Sequence, residues 1–203
     1  MLTLYTATGS CALASHITLE EAGAAYRTVR LDLAAGDQRA AAYRAVNPKG
    51  RVPALETPRG TLTETPAILA YIAATYPAAG LAPLDDAFAF AEAQAFNSYL
   101  GATVHVAHAH GGRGRRWTDD PAALAALQRY VPRSVGEGFA LIEQGLLRGP
   151  WVLGERYSIC DPYLFTVAGW LERDGVDLAA LPRVLEHRRR VAVRPAVQRV
   201  LDS

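Results

Sequence analysis

Apolar and polar positions change their period part-way along the chain. Up to about residue 76, short apolar runs alternate with helical patterns: strand 2–5, helix 11–22, strand 26–31, helix 38–45, strands 53–56 and 60–63, and helix 66–76. Strand, helix, strand favours a parallel pair joined by a right-handed crossover. Glu56 to Thr61, carrying Pro58 and Gly60, reads instead as a tight turn between antiparallel strands. The first part of the chain is therefore expected to be an α/β unit with a mixed sheet.

After Pro77-Ala-Ala-Gly80 and Pro83 the strand signals stop, and helical periodicity takes over at 85–109, 121–147, 162–173, 182–191 and 194–201. Pro and Gly end the preceding helix, which places a linker at about 77–84, between a first domain at 1–78 and an all-helical domain at 85–203. Pro121 suits a first helical turn, with Asp119 and Asp120 before it as caps. Ser158-Ile-Cys-Asp161 reads as a capping box with Asp in place of Glu.

Composition narrows the function classes. The 203 residues, 50% hydrophobic, suffice for a substantial core. Lys plus Arg at 21 against Asp plus Glu at 20 gives a net charge of +1, so nothing points to nucleic acid or an anionic membrane as partner. Lys49 is the only lysine. The longest apolar stretch, 67–82, is interrupted by Tyr71, Thr75, Tyr76, Pro77 and Gly80 and is not read as membrane-spanning. Two distant cysteines make no disulfide framework, and the opening lacks the features of a signal peptide. Both point to the cytoplasm.

Three constellations carry candidate chemistry. Cys11 follows Thr8-Gly9-Ser10 where the first strand gives way to a helix. Amide N–H groups and the helix dipole favour a thiolate there, while a buried structural cysteine is equally compatible with this turn alone. Asn47-Pro-Lys-Gly-Arg-Val52-Pro53 leads from a helix into a strand at a proline. If the Val52–Pro53 bond is cis, the backbone of Val52 faces outward and can pair with an extended peptide; an ordinary trans turn is the alternative. Glu64-Thr65-Pro66 opens the next helix, where Thr65 can cap and N–H groups can meet a carboxylate. Together, a thiol, an exposed backbone edge and an anion site match the parts of a small thiol peptide.

In this order and at these spacings, the sequence resembles the glutathione transferase family, closest to its bacterial beta class. The resemblance runs through the Gly-Ser-Cys opening, Asn47 to Leu55, Leu62-Thr-Glu-Thr-Pro-Ala-Ile68, the linker, the helical second half and the Ser158-x-x-Asp161 box. It implies a thioredoxin-like N-terminal domain, with a mixed four-stranded sheet and helices, followed by an all-helical C-terminal domain. It further implies a homodimer, with glutathione as cosubstrate bound mainly by the first domain.

Carried over residue by residue, the family pattern puts Cys11 beside the glutathione sulfur, Val52 against its cysteinyl backbone ahead of cis Pro53, and Glu64 and Thr65 at its γ-glutamyl end. The class often supplies an Asn and, seven residues later, a His from the first long helix of the second domain. Here His105 matches, but Ser98 stands at the Asn position with Asn97 just before it. Ala34-Ala35 replaces a lysine often found near the second strand, and Arg39 or Arg51 is a substitute for holding the glycyl carboxylate. Ser10 and Tyr5 are further hydroxyl groups near the sulfur.

His105-Val-Ala-His108-Ala-His110-Gly-Gly-Arg113-Gly-Arg115-Arg116-Trp117 departs most from a generic member. His105 and His108 share a helical face, His110 points elsewhere, and no Cys or carboxylate nearby completes a tetrahedral set, so no metal is expected. The remainder reads as a basic, glycine-broken loop, either meeting an acidic cosubstrate or glutathione carboxylates across a dimer interface, or simply ending a solvated helix. Trp117 and Trp170 read as packing residues.

The resemblance implies a detoxifying transferase that conjugates glutathione to small hydrophobic electrophiles. A peroxidase or thiol–disulfide exchange activity fits Cys11, and glutathione would complete the cycle because no Cys-x-x-Cys is present. A non-catalytic protein binding glutathione or apolar ligands on the same fold is the alternative. Glutathione-dependent isomerases fit less well, because their usual Ser-Ser-Cys and arginine-bearing helix are replaced here by Ser10-Cys11 and Ala12-Leu-Ala-Ser-His16.

Overall fold

Leu2–Thr6 (β1) and Tyr26–Arg30 (β2) pair in parallel, with Leu4 opposite Thr28, and the helix Ala12–Glu21 (α1) makes the crossover. Ala54–Thr57 (β3) runs antiparallel to β1, with Leu55 opposite Leu4, and Gly60–Thr63 (β4) folds back on β3. The sheet is thus the mixed one expected from the sequence, in the order β2-β1-β3-β4. This computed structural model describes the whole chain, Met1–Ser203. Its contacts form two units, Met1–Gln94 together with Ala192–Ser203, and Ala95–Val191.

In the first unit, alternate strand residues supply one face of the core. Leu2, Leu4 and Leu55 meet Leu19 of α1 and Ile68 and Ile72 of the helix Thr65–Thr75 (α3). Each such side chain, almost fully removed from water, contributes roughly 1.5–3 kcal/mol before the entropy of ordering is counted. The β3–β4 hairpin turns at Gly60, whose φ of +128° suits glycine. The short helix Ala41–Val46 (α2) replaces part of the single helix expected at 38–45; Asp37–Arg39 forms a separate 3₁₀ turn before it. The helix Ala87–Tyr99 (α4) begins in this unit.

The C-terminal helix, Pro195–Leu201, belongs to the same unit and packs on α1. Arg194 makes a two-pronged ion pair with Glu21, at 2.6 and 2.9 Å, and Arg199 reaches Glu20 at 2.9 Å. Tyr26 donates to the other oxygen of Glu20 at 2.6 Å. The expected linker segment, 77–84, also lies within this unit.

The second unit is helical. The end of α4 passes through a widened π-helical turn, Leu100–Val104, into His105–Arg113 (α5). Pro121–Leu141 (α6), Cys160–Ala168 (α7) and Pro182–Ala192 (α8) follow. Asp120 caps α6 by accepting from the Ala122 N–H at 2.9 Å. Val104, Val135, Phe139, Ile142, Leu164 and Val184 are buried in its core. Beyond His110 the expected glycine-broken loop is instead helix as far as Arg113. Gly114 serves packing, since a Cβ there would lie 2.8 Å from the Leu124 side chain, whereas one on Gly111 would make only ordinary contact with Val131. Glycine at 114 thus lets the end of α5 approach α6 closely, an advantage that offsets its poor helix propensity. No helix is long and apolar enough to cross a membrane.

Candidate functional site

The turn from β1 to α1 is organised by Ser10. Its hydroxyl donates to the Ala7 carbonyl at 2.6 Å and accepts from the Ala12 N–H at 3.3 Å. The one proton that Ser10 can offer goes to the protein itself, so this side chain shapes the turn. Gly9, at φ +69°, supplies the left-handed residue. Cys11 then stands at the N-cap of α1, 8% exposed, with its thiol donating to the Val52 carbonyl at 3.5 Å. Residues forty-one positions apart are joined at this contact. The N-terminal end of the helix favours the thiolate, whereas donation to a carbonyl favours the protonated thiol.

Val52 is half-buried, and the Val52–Pro53 bond is cis. The chain before it is fixed by two donors to one acceptor: Tyr43 Oη and Asn47 Nδ2 reach the Arg51 carbonyl at 2.6 and 2.7 Å. Gly50, at φ +59°, faces the Gln38 carbonyl so closely that a Cβ would lie 2.8 Å away. Asn47, Gly50 and the Arg51 carbonyl thus each have an identifiable task in presenting Val52. The Arg51 side chain itself is exposed.

Glu64 precedes α3 with φ of +72°, the sole non-glycine residue in the left-handed region. Such a backbone costs about 1–3 kcal/mol and persists where the surroundings enforce it, often at ligand sites. Its exposed carboxylate accepts from Lys49 Nζ at 2.5 Å, and the same ammonium donates to Thr63 Oγ1 at 2.7 Å. Thr65 is buried at the first turn, followed by Pro66. Lys49 has no role that its motif alone reveals; its being the only lysine in the chain is the signal that sets it apart.

Tyr5 points its hydroxyl at Glu56 Oε2, 3.3 Å away, and its ring lies 5.5 Å from that of Tyr43. Burial, then the Glu56 charge and hydrogen bond, raise its phenol above the ordinary range. Cys160 is a different kind of thiol: wholly buried, with burial and then Asp161 holding it strongly protonated, it is unsuited to exchange.

In the second unit, Ser98 is exposed, while Asn97 is fully buried and neither of its amide atoms meets a hydrogen-bonding partner. His105 and His108 share one face of α5, both against the buried Trp170. His110 points elsewhere, edge-on to Trp117 at 4.5 Å. Trp117 is 48% exposed and is not the packing residue expected. Arg113 reaches back to His105 Nε2 at 3.4 Å. Sequence reasoning placed the two histidines on one face but missed the partner of His108, Asp174, sixty-six residues away. No three His, Cys, Asp or Glu side chains converge as a metal-binding group.

A mixed β2-β1-β3-β4 sheet with a cis proline ahead of β3, a cysteine at the first helix start, and a following helical region define a thioredoxin-like fold with a helical extension. Residues 1–74 match the glutathione S-transferase N-terminal domain family. Glutathione S-transferase GstA of Escherichia coli O157:H7 is 33% identical, with 96% of this chain and 94% of that protein covered. A maleylacetoacetate isomerase of Pseudomonas aeruginosa is 31% identical over 97% of this chain and 92% of its own. Among solved structures, a glutathione transferase homologue from Sulfitobacter with bound glutathione is 44% identical, covers 100% of this chain and 97% of its own, and superposes with a TM-score of 0.96. The bacterial beta class enzyme of Sphingomonas chungbukensis is 35% identical, with coverages of 98% and 97% and a TM-score of 0.84. The chain belongs to the glutathione S-transferase family of enzymes.

Proposed function

We propose that this protein conjugates glutathione to small hydrophobic electrophiles as a cytoplasmic homodimer. The observation that carries the reading is the Cys11 thiol resting against the Val52 carbonyl, which puts a sulfur beside the backbone edge available to a peptide. On this reading residues 1–78 bind glutathione. Val52, ahead of Pro53, pairs with the cysteinyl backbone; Glu64 takes the γ-glutamyl ammonium, and the start of α3 at Thr65 takes its carboxylate. Arg51, exposed at the end of its motif, offers a cation to the glycyl end. Tyr5, held by Glu56, borders the site. Residues 85–203 supply the acceptor pocket, and Ser98 and His105 are assigned to glutathione.

In conjugation the glutathione thiolate attacks an electrophilic carbon, the new S–C bond forms, and the leaving group departs with the electron pair. The protein's task is to stabilise the thiolate, through Cys11, His105 and the amide groups of the turn that Ser10 shapes. Steady-state rates with glutathione and a chlorodinitroarene test this: saturable turnover is expected, and intact glutathione binding without turnover would sink it in favour of a binding protein.

Cys11 supports a second activity, thiol–disulfide exchange. Its thiolate attacks the glutathionyl sulfur of a mixed disulfide, releasing the other thiolate and forming a Cys11–glutathione disulfide. A glutathione thiolate then attacks that bond, yielding glutathione disulfide and restoring Cys11.

A further inference from the structure

The second unit holds a chain of side chains of which conjugation as described above uses only His105. Asp174, 9% exposed, lies with both carboxylate oxygens 2.8 Å from His108 Nδ1. An ionised carboxylate only accepts, so Nδ1 carries the proton and the ring cannot turn without losing the bond. That fixed imidazole stacks on Trp170, with centroids 4.3 Å apart and planes 21° from parallel. The indole is 8% exposed and touches His105 on its other contact, at 5.0 Å and 52°. Arg113 lies 3.4 Å from Nε2 of His105; a guanidinium only donates, so Nε2 accepts and Nδ1 of His105 carries that ring's proton.

We propose that His108 and Asp174 form a positioning pair, which pins Trp170 and through the indole fixes the ring of His105. The inference rests on the assignment of His105 to the glutathione thiol made above. Stability alone gives little reason for the arrangement: a buried carboxylate must recover a large desolvation cost, and apolar residues of the same volume commonly hold such a place as well. Orientation does give a reason. The α5 backbone sets where His105 begins, but only its ring neighbours select its rotamer, and a misplacement of about 1 Å at a reacting group can cost around a hundredfold in rate.

A double-mutant cycle on the full-length enzyme tests this, using His105→Ala, Asp174→Asn and the double variant, with kcat and KM for glutathione read in the conjugation assay. The expected result is a kcat about tenfold lower for Asp174→Asn, a KM for glutathione within about twofold of the wild type, and no further loss when it is added to His105→Ala. A purely structural role would instead give losses that add in the double variant. Additive losses, or an unchanged kcat in Asp174→Asn, overturn the inference while leaving His105 in place. Full activity in His105→Ala overturns the assignment of His105, and the inference with it. Should Asp174→Asn fail to fold, His108→Gln, which removes the stacked ring but keeps a donor for Asp174, repeats the cycle with the same expectations.

Discussion

The two cysteines differ in what surrounds the sulfur, and their reactivity should differ accordingly. Cys11 sits at a helix start against a backbone carbonyl, whereas Cys160 is enclosed and held protonated by burial. Incubation with glutathione disulfide should therefore add a single glutathionyl group, at Cys11, by intact-protein mass spectrometry. Cys11→Ala should abolish the adduct yet keep part of the conjugating activity, because the turn amides and His105 remain. Complete loss of conjugation with normal glutathione binding would make Cys11 indispensable and contradict this assignment. At this scale the sequence was legible wherever a residue's role is local. The cysteine after a glycine-serine turn and the Val-Pro pair are read from neighbours in the chain, as is the Glu-Thr-Pro helix start, except that Thr65 does not cap it as expected: Thr65 is the first helical residue, Glu64 stands at the N-cap, and no side chain caps the end. Ser10 was harder, since its hydroxyl is taken up by Ala7 and Ala12 through a turn geometry that the residue type alone does not specify.

Helix ends show where local reading succeeds and where it needs the fold. The Ser158-x-x-Asp161 box forms as its residue types imply, with the Ser158 N–H donating to Asp161 at 2.7 Å. Asp161 also accepts from the Val152 N–H at 2.8 Å and meets His187 Nε2 at 2.9 Å, two partners that no sequence window contains. Every one of these groups is buried, so removing the carboxylate leaves several donors unsatisfied at once. Asp161→Ala should destabilise the protein by about 3–5 kcal/mol, because several buried donors lose their acceptor together, each at a cost of about 1–3 kcal/mol. Chemical denaturation measures it, and a loss below about 1 kcal/mol, the range of an ordinary exposed cap, would contradict the account. The glycines of α5 illustrate the opposite limit. Gly111, Gly112 and Gly114 read as a loop because propensity was the only guide, but Leu124 of α6 approaches closely enough to favour glycine at 114, while a Cβ at 111 or 112 would meet only ordinary contacts. Tertiary contact overrode propensity there.

Across the whole molecule, near-neutral charge leaves pH sensitivity to individual buried groups. His16, on α1 with its ring edge-on to Tyr26 at 5.5 Å, is held below the ordinary imidazole range by burial; Glu20 opposes that and Arg30 adds to it. Its folded pKa lies below its unfolded one, so the unfolded chain binds the proton more readily. The stability it contributes is complete above the unfolded value near 6.5 and is lost as pH falls through the folded value. Glu20, held low chiefly by its hydrogen bond from Tyr26 and then by Arg199, loses its contribution at more acid pH. The melting temperature should therefore fall as pH drops from 7 towards 5, and His16→Gln should flatten that slope; an unchanged slope would remove His16 from the account. The central claim, that Cys11, Val52 and the start of α3 form one glutathione site, is tested most directly by a crystal structure with glutathione bound. The account predicts the glutathione sulfur beside Cys11 Sγ, its cysteinyl backbone paired with Val52, and its γ-glutamyl end at Glu64 and Thr65. Glutathione bound with its sulfur away from Cys11, or its backbone unpaired with Val52, would contradict it.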